Sequence, residues 1–564
     1  MKFKIFTLSI ILCICCITAH AQLHLDWAYN IGGKLSDYAG YMKADYADNL
    51  YEFAEYQDST DLDHGLGTDW VYPKSSNAMV LSKINRYGQF QWSVRFYDGY
   101  NVYGSIFEIK NNVIRISLTF SDSLVYEFHG QSTTLFKKGG VSTCLMNLDL
   151  DGHIVDSHLI QSTRHFYFTD IITLSNGNTL LSGSFLDSMS FDPQTTYYSK
   201  GKGDAFVAMM DKQYKISWIT FFSTPENEYL DKIYVRDSRI YFAVRYADTI
   251  SVQTPVGWKT FPSKGKDDAL YGYLNMSGEI QKIFSFGGDD YDQIRSIAVD
   301  QNNFMYIGGY FGGIVNFANP GHPAANHTST GSWDAFLAKY NSVGDLVWVK
   351  TFDNTYYTRI SSIDLIRGNE LYITGEYTSK ADLDPGPDSI IVETDNQTDI
   401  FISKFNTNGD LKWSYALPGQ GYEGAEGIHV STENSKFFLT GSLVQTLDCD
   451  PSSEEYTLNS YGSSDIFYAC YSEDNVLTVT DGPSFVGEPL DVIVAPNPTP
   501  GKVKISSDDE IHSIMIEGMD GKIIRSFTMP GYGSEVNLTD LPSGMYFITL
   551  MTENKSVTRK IIKE

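Results

Sequence analysis

The chain has 564 residues, more than a single hydrophobic core usually serves, so it divides into domains or repeats. Its 69 acidic residues against 42 basic ones give a formal charge of -27, which repels a phosphate backbone and argues against nucleic acid as a partner. Aromatics make up 14% of the chain, with 38 Tyr and 33 Phe beside 47 Gly, a composition that favours short strands joined by tight turns.

The N-terminus, "MKFKIFTLSIILCICCITAHAQ", places Lys2 and Lys4 before an apolar run at 5–17 and small residues Ala19 and Ala21. That pattern predicts a secretory signal over residues 1–21, cut between Ala21 and Gln22. The run is too short to span a bilayer as a helix, and no later segment is apolar enough to do so. Leu12, Ile14 and Cys15 stand where a lipoprotein needs a small residue before its modified cysteine. Three cysteines follow the signal, Cys144, Cys449 and Cys470; an odd number without a CxxC is not a disulfide framework.

From there a single phrase recurs. "GSWDAFLAKYNSVGDLVWVKTF" at 331–352 reads as a strand, a turn at Asn341-Ser342-Val343-Gly344, and a second strand carrying Trp348. Aligned on the turn, the first of these strands opens at Ala78, Ser142, Asp204, Asp268, Asp334, Asp399 and Asp465, at spacings of 64, 62, 64, 66, 65 and 66. Two positions on, Val80, Cys144, Phe206, Leu270, Phe336, Phe401 and Phe467 are all apolar. Upstream, "TLLSGSFLDSMSFDP", "FMYIGGYFGGIVNFANP" and "LYITGEYTSKADLDP" supply another pair of strands, so each copy holds at least four. A period this even defines a repeat, and four antiparallel strands per unit predict a β-propeller blade enlarged between its second and third strands. The seventh copy, "SSDIFYACYSEDNV", lacks a following Trp strand, whereas "HLDWAYNIGG" near the N-terminus is an orphan one carrying Trp27. Residues 24–33 are therefore expected to complete blade seven and close the ring, removing its open edges. Residues 22–477 resemble the bacterial β-propeller repeat family of secreted proteins, although copies two and four depart from it in the Trp strand.

Composition shifts at the linker, residues 478–491, with Pro483 and Pro489. Residues 492–564 alternate as strands with turns at Asp520-Gly521 and Pro542-Ser543-Gly544, the pattern of a small C-terminal β-sandwich. Pro496-Asn497-Pro498, Gly521-Lys522, Leu541-Pro542-Ser543-Gly544-Met545-Tyr546 and Lys560-Ile561-Ile562-Lys563 make this stretch resemble the C-terminal sorting domain of the type IX secretion system. The resemblance implies the type IX machinery as a partner, and export through the periplasm and across the outer membrane. It also implies release or retention on the surface.

No constellation carries chemistry clearly, so no catalytic, cofactor or metal residue is assigned. "NLDLDG" at 147–152 has the form of a calcium loop, but its twelfth position is His158 and its glycine aligns with the repeat's turn, so a hairpin is expected. Asp61/Asp63, Asp382/Asp384 and Asp448/Asp450, with Asp192 alone, flank Leu62, Leu383, Cys449 and Phe191, which predicts inward apolar residues between outward strand-end acids. Cys144 and Cys449 fall at apolar repeat positions and read as buried, inert thiols. Asp-Ser/Thr pairs at Ser59, Ser123, Ser188 and Thr249 recur in one hairpin, with Ser389 adding another. Turn chemistry explains them. They also resemble the D-[ST]-apolar acceptors that bacteria using this export route O-glycosylate. The functional expectation is a secreted or surface binding protein for a glycan or protein ligand, with loop 318–333 and its His322, His327 and Trp333 as contact segment. A polysaccharide-acting enzyme and an inert spacer are the alternatives.

Overall fold

A computed structural model describes residues 23–473 and 492–563, apart from breaks at 46, 137–140, 163–165, 193, 367–369, 432–435, 497–498, 518–522, 540, 543 and 553–555. The expected cleavage site at Ala21 and Gln22, the linker, and the turn residues Asp520, Gly521 and Ser543 lie outside the described residues. Among the described residues every element is a β-strand.

Seven antiparallel sheets follow one another along the chain, each built on four strands in an up-and-down meander. Their first strands are Tyr38–Ala44, Val102–Lys110, Phe166–Thr173, Glu228–Arg236, Gln293–Val299, Tyr357–Ile366 and Gly424–Val430, and the sheets are numbered one to seven in that order. Each sheet is itself open. The fourth strand of sheet seven comes from the other end of the chain: Leu23–Ile31 pairs with Asp465–Glu473, Ile31 opposite Ile466.

The turn between third and fourth strands shows why the repeat is so regular. In sheet five the Asn341 side-chain oxygen accepts the N–H of Val343 at 3.1 Å and of Asp345 at 2.8 Å, while the Gly344 N–H donates to the Asn341 carbonyl at 2.9 Å. Gly344 has φ of 99°, a left-handed conformation that glycine adopts without strain. Asn275 with Gly278 and Asn406 with Gly409 repeat the device. "NLDLDG" proves to be the same turn, with the Asp149 carboxylate accepting the N–H of Asp151 and of His153 at 3.0 and 2.8 Å.

Behind these turns lies the clasp between sheets. The Trp27 indole N–H donates to Arg86 O at 3.4 Å, Trp218 to Met276 O at 3.0 Å and Trp348 to Thr407 O at 3.3 Å, each ring covering the turn glycine of a neighbouring sheet. A Cβ on Gly278 would sit 2.4 Å from the Trp218 ring, so glycine is required by space as well as by φ. Sheet two lacks this Trp. There His158 stacks on Tyr214 at 4.5 Å, and Tyr214, with φ of 63°, occupies the place of the turn glycine. The two departures from the repeat compensate each other.

Seven hydrophobic cores separate the seven sheets. One joins Phe53, Leu81 and Phe96 of sheet one to Ile116, Leu118 and Met146 of sheet two, and the same arrangement continues pair by pair to sheets six and seven. A seventh joins Ile31, Phe438, Ile466 and Tyr468 of sheet seven to Leu50, Val80 and Ile84 of sheet one. The enlargement between second and third strands is not a loop but a further hairpin, as at Ser123–Phe128 with Gln131–Phe136. That hairpin pairs with the outermost strand of sheet one, Val125 opposite Tyr97, and covers its edge. Leu62, Phe191, Leu383 and Cys449 are buried, as the alternation predicts. Cys144, Cys449 and Cys470 are all free and buried; burial pushes the Cys144 and Cys470 thiols up to about 12 and Cys449 well up too, which leaves them unreactive.

The tail, expected as a small sandwich, is linked through one long strand. It is one five-stranded sheet in which the long strand Lys502–Glu517 pairs with Val492–Ala495, Ile523–Asn537 and Gly544–Met551. A register break between Ser506 and Ile511 divides that strand, and residues of both halves, Val503, Ile505, Ile514 and Ile516, share one core. Period-two alternation was legible, but the continuity of one bent strand was not.

Trp27→Ala is expected to destabilise the molecule by about 2–4 kcal/mol in denaturant unfolding, as Trp218→Ala does, because both remove a half-buried ring from the same clasp. A loss below roughly 1 kcal/mol for Trp27→Ala alone would detach the N-terminal strand from the cooperative unit.

Candidate functional site

At one end of the sheets the chain crosses from each to the next, and several of these links are built on buried acids. The Gly33 N–H donates to Asp37 at 2.7 Å, Thr224 N–H to Glu228 at 2.8 Å, Gly288 N–H to Asp292 at 2.7 Å and Gly421 N–H to Glu423 at 3.0 Å. A second acid comes from the head of the third strand: Asp334 accepts the Thr330 N–H at 2.8 Å, Asp465 the Tyr461 N–H at 2.8 Å, and Asp399 the Gly419 N–H at 3.1 Å. The recurring Asp of the repeat thus ties loops. Burial is the largest influence on all of them, raising Asp37 and Glu228 to about 7 and Asp292 and Glu423 to about 8. The acid of the neighbouring element adds to the rise, as Asp268 does for Asp292 and Asp399 for Glu423.

Beside each link stands a tyrosine. Tyr38, Tyr103, Tyr167 and Tyr229 open the first strands of sheets one to four, and Tyr291, Tyr357 and Tyr422 take the place one residue before the link position in sheets five to seven. All seven reach solvent, and Tyr38, Tyr103 and Tyr422 are at least half exposed. Each first strand then carries a β-bulge in its first half, from Tyr38/Tyr41 in sheet one through Leu230/Lys232 and Ile294/Ser296 to Ala425/Gly427 in sheet seven. Past the bulge, side chains of one first strand cap the backbone of another. Glu108 accepts the Thr173 N–H at 2.8 Å, Asp170 the Ile233 N–H at 2.9 Å, Ser296 the Ile363 N–H at 3.0 Å and Asp364 the Val430 N–H at 2.8 Å. Lys43 and Glu426 are reached by solvent yet enclosed by protein, which lowers the lysine's pKa and raises the carboxyl's.

This position varies from sheet to sheet. The second-strand residue facing the start of the first strand is Thr119 in sheet two, Ser184 in sheet three and Ser442 in sheet seven, but Glu55 in sheet one and Arg245, Tyr310 and Glu376 in sheets four, five and six. Arg245 lies over the Tyr229 ring at 4.6 Å, and its guanidinium is 3.8 Å from Asp231 and 3.7 Å from Asp267. Gln293 donates to Asp231 at 2.7 Å, and Arg359 pairs with buried Glu376 at 2.9 Å. Trp333 lies 5.5 Å from Tyr310, 6.1 Å from Tyr291 and 6.2 Å from Tyr357. Asp231 is raised to about 6, by burial first and despite Arg245. No sequence signal marked this group, because it appears only once the register sets Arg245, Tyr310 and Glu376 at one level.

The residues singled out beforehand lie elsewhere. Ser59, Thr249 and Ser389 are exposed, Ser123 is half-buried and Ser188 is buried, so the last is not presented on the folded surface. Asp388-Ser389 is not equivalent to the others; it lies at the tip of the outer hairpin, between Ala381 and Val392, and the matching place in sheet six is Ser379. Asp61, Asp382 and Asp448 use a carboxylate oxygen to accept the N–H groups of Asp69, Ile390 and Tyr456, closing that hairpin. The loop 318–333 divides. His322 pairs with Asp345 at 3.1 Å and His327 packs on Phe317, while Trp333 alone joins the aromatic group. Among the described residues no three His, Cys, Asp or Glu gather as a metal site.

The chain is thus an all-β repeat of seven sheets followed by a C-terminal sheet, and the comparisons bear on the tail. Residues 494–564 match the family of secretion system C-terminal sorting domains. Through this type IX sorting domain the protein is exported across the outer membrane, to the cell surface or beyond. No helix of the described residues is long and apolar enough to cross a membrane. A WD repeat-containing protein of Acanthamoeba polyphaga mimivirus is 20% identical over 211 residues, 33% of this chain and 15% of the relative. The chain thus spans a small part of that curated relative. PorZ, a surface component of the Porphyromonas gingivalis type IX system, aligns over 95% of this chain and 75% of its own at 10% identity and a TM-score of 0.26. An extracellular domain from B. thetaiotaomicron aligns over 97% and 99% at 9% identity and a TM-score of 0.15.

The link acids set a pH dependence. Their folded pKa values exceed the unfolded ones, so their contribution is fully present at acid pH and lost as pH rises through about 8. His64, His327 and His429 are lowered by burial and oppose this only below about pH 6.5. The melting temperature is therefore expected to fall between about pH 6.5 and 8.5, and to fall less in an Asp292→Asn, Glu423→Gln double variant. A melting temperature that rises over this range would show that other groups dominate.

Proposed function

We propose that this chain is an exported binding protein whose seven sheets are the blades of a β-propeller closed by the N-terminal strand, with its ligand site at the tyrosine-collared mouth. Seven cores between seven sheets support the ring, since an open row of seven would have six. The reading divides the chain into a signal at 1–21, the propeller at 22–477, a linker at 478–491 and the sorting domain at 492–564. The type IX machinery is the partner of the last, and a glycan or protein is the ligand of the propeller. Exposed Ser59, Thr249 and Ser389 are the O-glycosylation acceptors this reading retains.

One observation carries the binding function. The series of amphipathic Tyr side chains at the mouth is joined at sheets four to six by Arg245, Tyr310, Trp333 and Arg359, where sheets two, three and seven carry Thr or Ser. Rigid aromatics beside charged donors suit recognition, since they give contact area at little entropic cost. Asp231, held near 6 within that sector, favours a second reading, a glycan-cleaving enzyme with Asp231 as proton donor.

Two measurements test this. Deleting residues 492–564 is expected to leave the protein in the periplasm; its appearance outside the cell would show that the tail is not the address. The purified full chain, screened against surface polysaccharides and matrix proteins with product analysis alongside, is expected to bind without turnover. Tyr357→Ala should weaken binding roughly tenfold. Product release that Asp231→Asn abolishes would replace the binding reading with the enzymatic one.

A further inference from the structure

The group at sheets four to six has an imbalance that its own residues do not resolve. The Nε–H of Arg245, the Nε–H of Arg359 and the indole N–H of Trp333 are buried without a hydrogen-bond acceptor. Arg245 makes no hydrogen bond to a described residue, since Asp231 and Asp267 stand beyond hydrogen-bond distance at 3.8 and 3.7 Å. Arg295, at the bulge of the sheet-five first strand, is half-buried and makes neither a hydrogen bond nor an ion pair within the described residues. Burial raises the pKa of the Tyr310 phenol, and the charges of Arg245, Arg295 and Arg359 oppose that rise. The Arg245 and Arg295 side chains are in part reached by solvent, so a ligand rich in acceptors can meet their guanidinium groups, whereas the Nε–H and indole N–H atoms are closed off.

We propose that this sector of the mouth binds an anionic sugar, a uronic-acid carboxylate or a sulfate ester on a glycan chain. The proposal deepens the binding reading and rests on the mouth being the ligand site. A planar or trigonal anion matches the guanidinium fork, and charge-assisted bonds of this kind are the strong ones. The Trp333, Tyr291, Tyr310 and Tyr357 rings offer flat faces for the C–H side of a pyranose. Of the acids present, Asp231, Asp267, Glu376 and Glu426, two are engaged within the sector. Glu376 is bound to Arg359 and to the Ala425 N–H, and Asp231 holds Gln293. The surplus of acid elsewhere acts weakly beyond a Debye length of about 8–10 Å. An extended acidic peptide is disfavoured because strand addition needs free backbone donors, and side chains already cap Thr173, Ile233, Ile363 and Val430.

Isothermal titration of the full chain against polygalacturonate, dextran sulfate, neutral dextran and polyglutamate tests this. Either or both of the first two are expected to bind, distinguishing carboxylate from sulfate, while neutral dextran and polyglutamate do not. Arg295→Gln, which breaks no hydrogen bond or ion pair of the described residues, should weaken that binding at least roughly tenfold with a nearly unchanged melting transition. Arg245→Gln should do the same. Binding of neutral dextran alone, or anionic binding unaffected by both variants, would overturn the anionic subsite while leaving the mouth as a glycan site. Binding of polyglutamate alone overturns the glycan in favour of a peptide. Binding of none of the four, with collar variants also silent toward every ligand of the wider screen, would remove the mouth reading itself.

Discussion

The arrangement depends on one pairing between the ends of the repeat region, Leu23–Ile31 against Asp465–Glu473. Eight register pairs hold the two strands, and around them side chains from both ends of the sequence interlock. Asn30 donates to the Asp465 carboxylate at 2.6 Å, Lys436 reaches Asp26 at 2.5 Å, and Trp27 closes over Gly88 of sheet one. Without this strand, Asp465–Glu473 would present an unpaired edge and the core between sheets seven and one would lose Ile31. In the proposed ring a local strand therefore acts globally. Pairing so distant in sequence is costly to form, so closure is expected as a late step in folding.

Much of this was readable beforehand because strong local chemistry repeats. The Asn-to-Gly turns, the apolar residues two positions into the third strand and the orphan Trp strand all rest on short-range rules that survive in one sequence. What failed to show depends on register. The outer hairpins looked like inserted loops because two-residue strands such as Thr60–Asp61 carry no detectable alternation. Asp388-Ser389 looked equivalent to Asp187-Ser188 because both are Asp-Ser before an apolar residue, but Lys380 pairing with Glu393 puts the former at a tip. His158 looked like a degenerate copy, and only its stacking on Tyr214 shows a substituted clasp rather than a lost one.

The acids illustrate how one residue type serves two ends. Most of the negative charge is on solvated surface, yet several links between sheets also enclose carboxyls, such as Asp292, whose pKa the nearby Asp268 helps to raise. Such groups are poor sources of stability at neutral pH, since desolvation opposes their charged forms. Their value is geometric. A carboxyl accepting two loop N–H groups, as Asp37 does from Gly33 and Gln57, fixes the loop and the tyrosine beside it. The collar stands where it does because the links are tied from within.

A repeated scaffold makes seven equal positions, and recognition requires that they stop being equal. Here the Ser and Thr of sheets two, three and seven give way to Glu55 in sheet one and to three consecutive large residues, Arg245, Tyr310 and Glu376, in sheets four to six. Sheets four to six keep their cores, link acids and bulges, so the replacement costs the framework nothing visible. Unmet donors are found instead within that sector, at the buried Nε–H of Arg245 and Arg359 and the indole N–H of Trp333. A framework that ties its turns and links with hydrogen bonds and leaves the partly exposed Arg245 and Arg295 without hydrogen-bond acceptors at its mouth has separated holding its shape from holding something else.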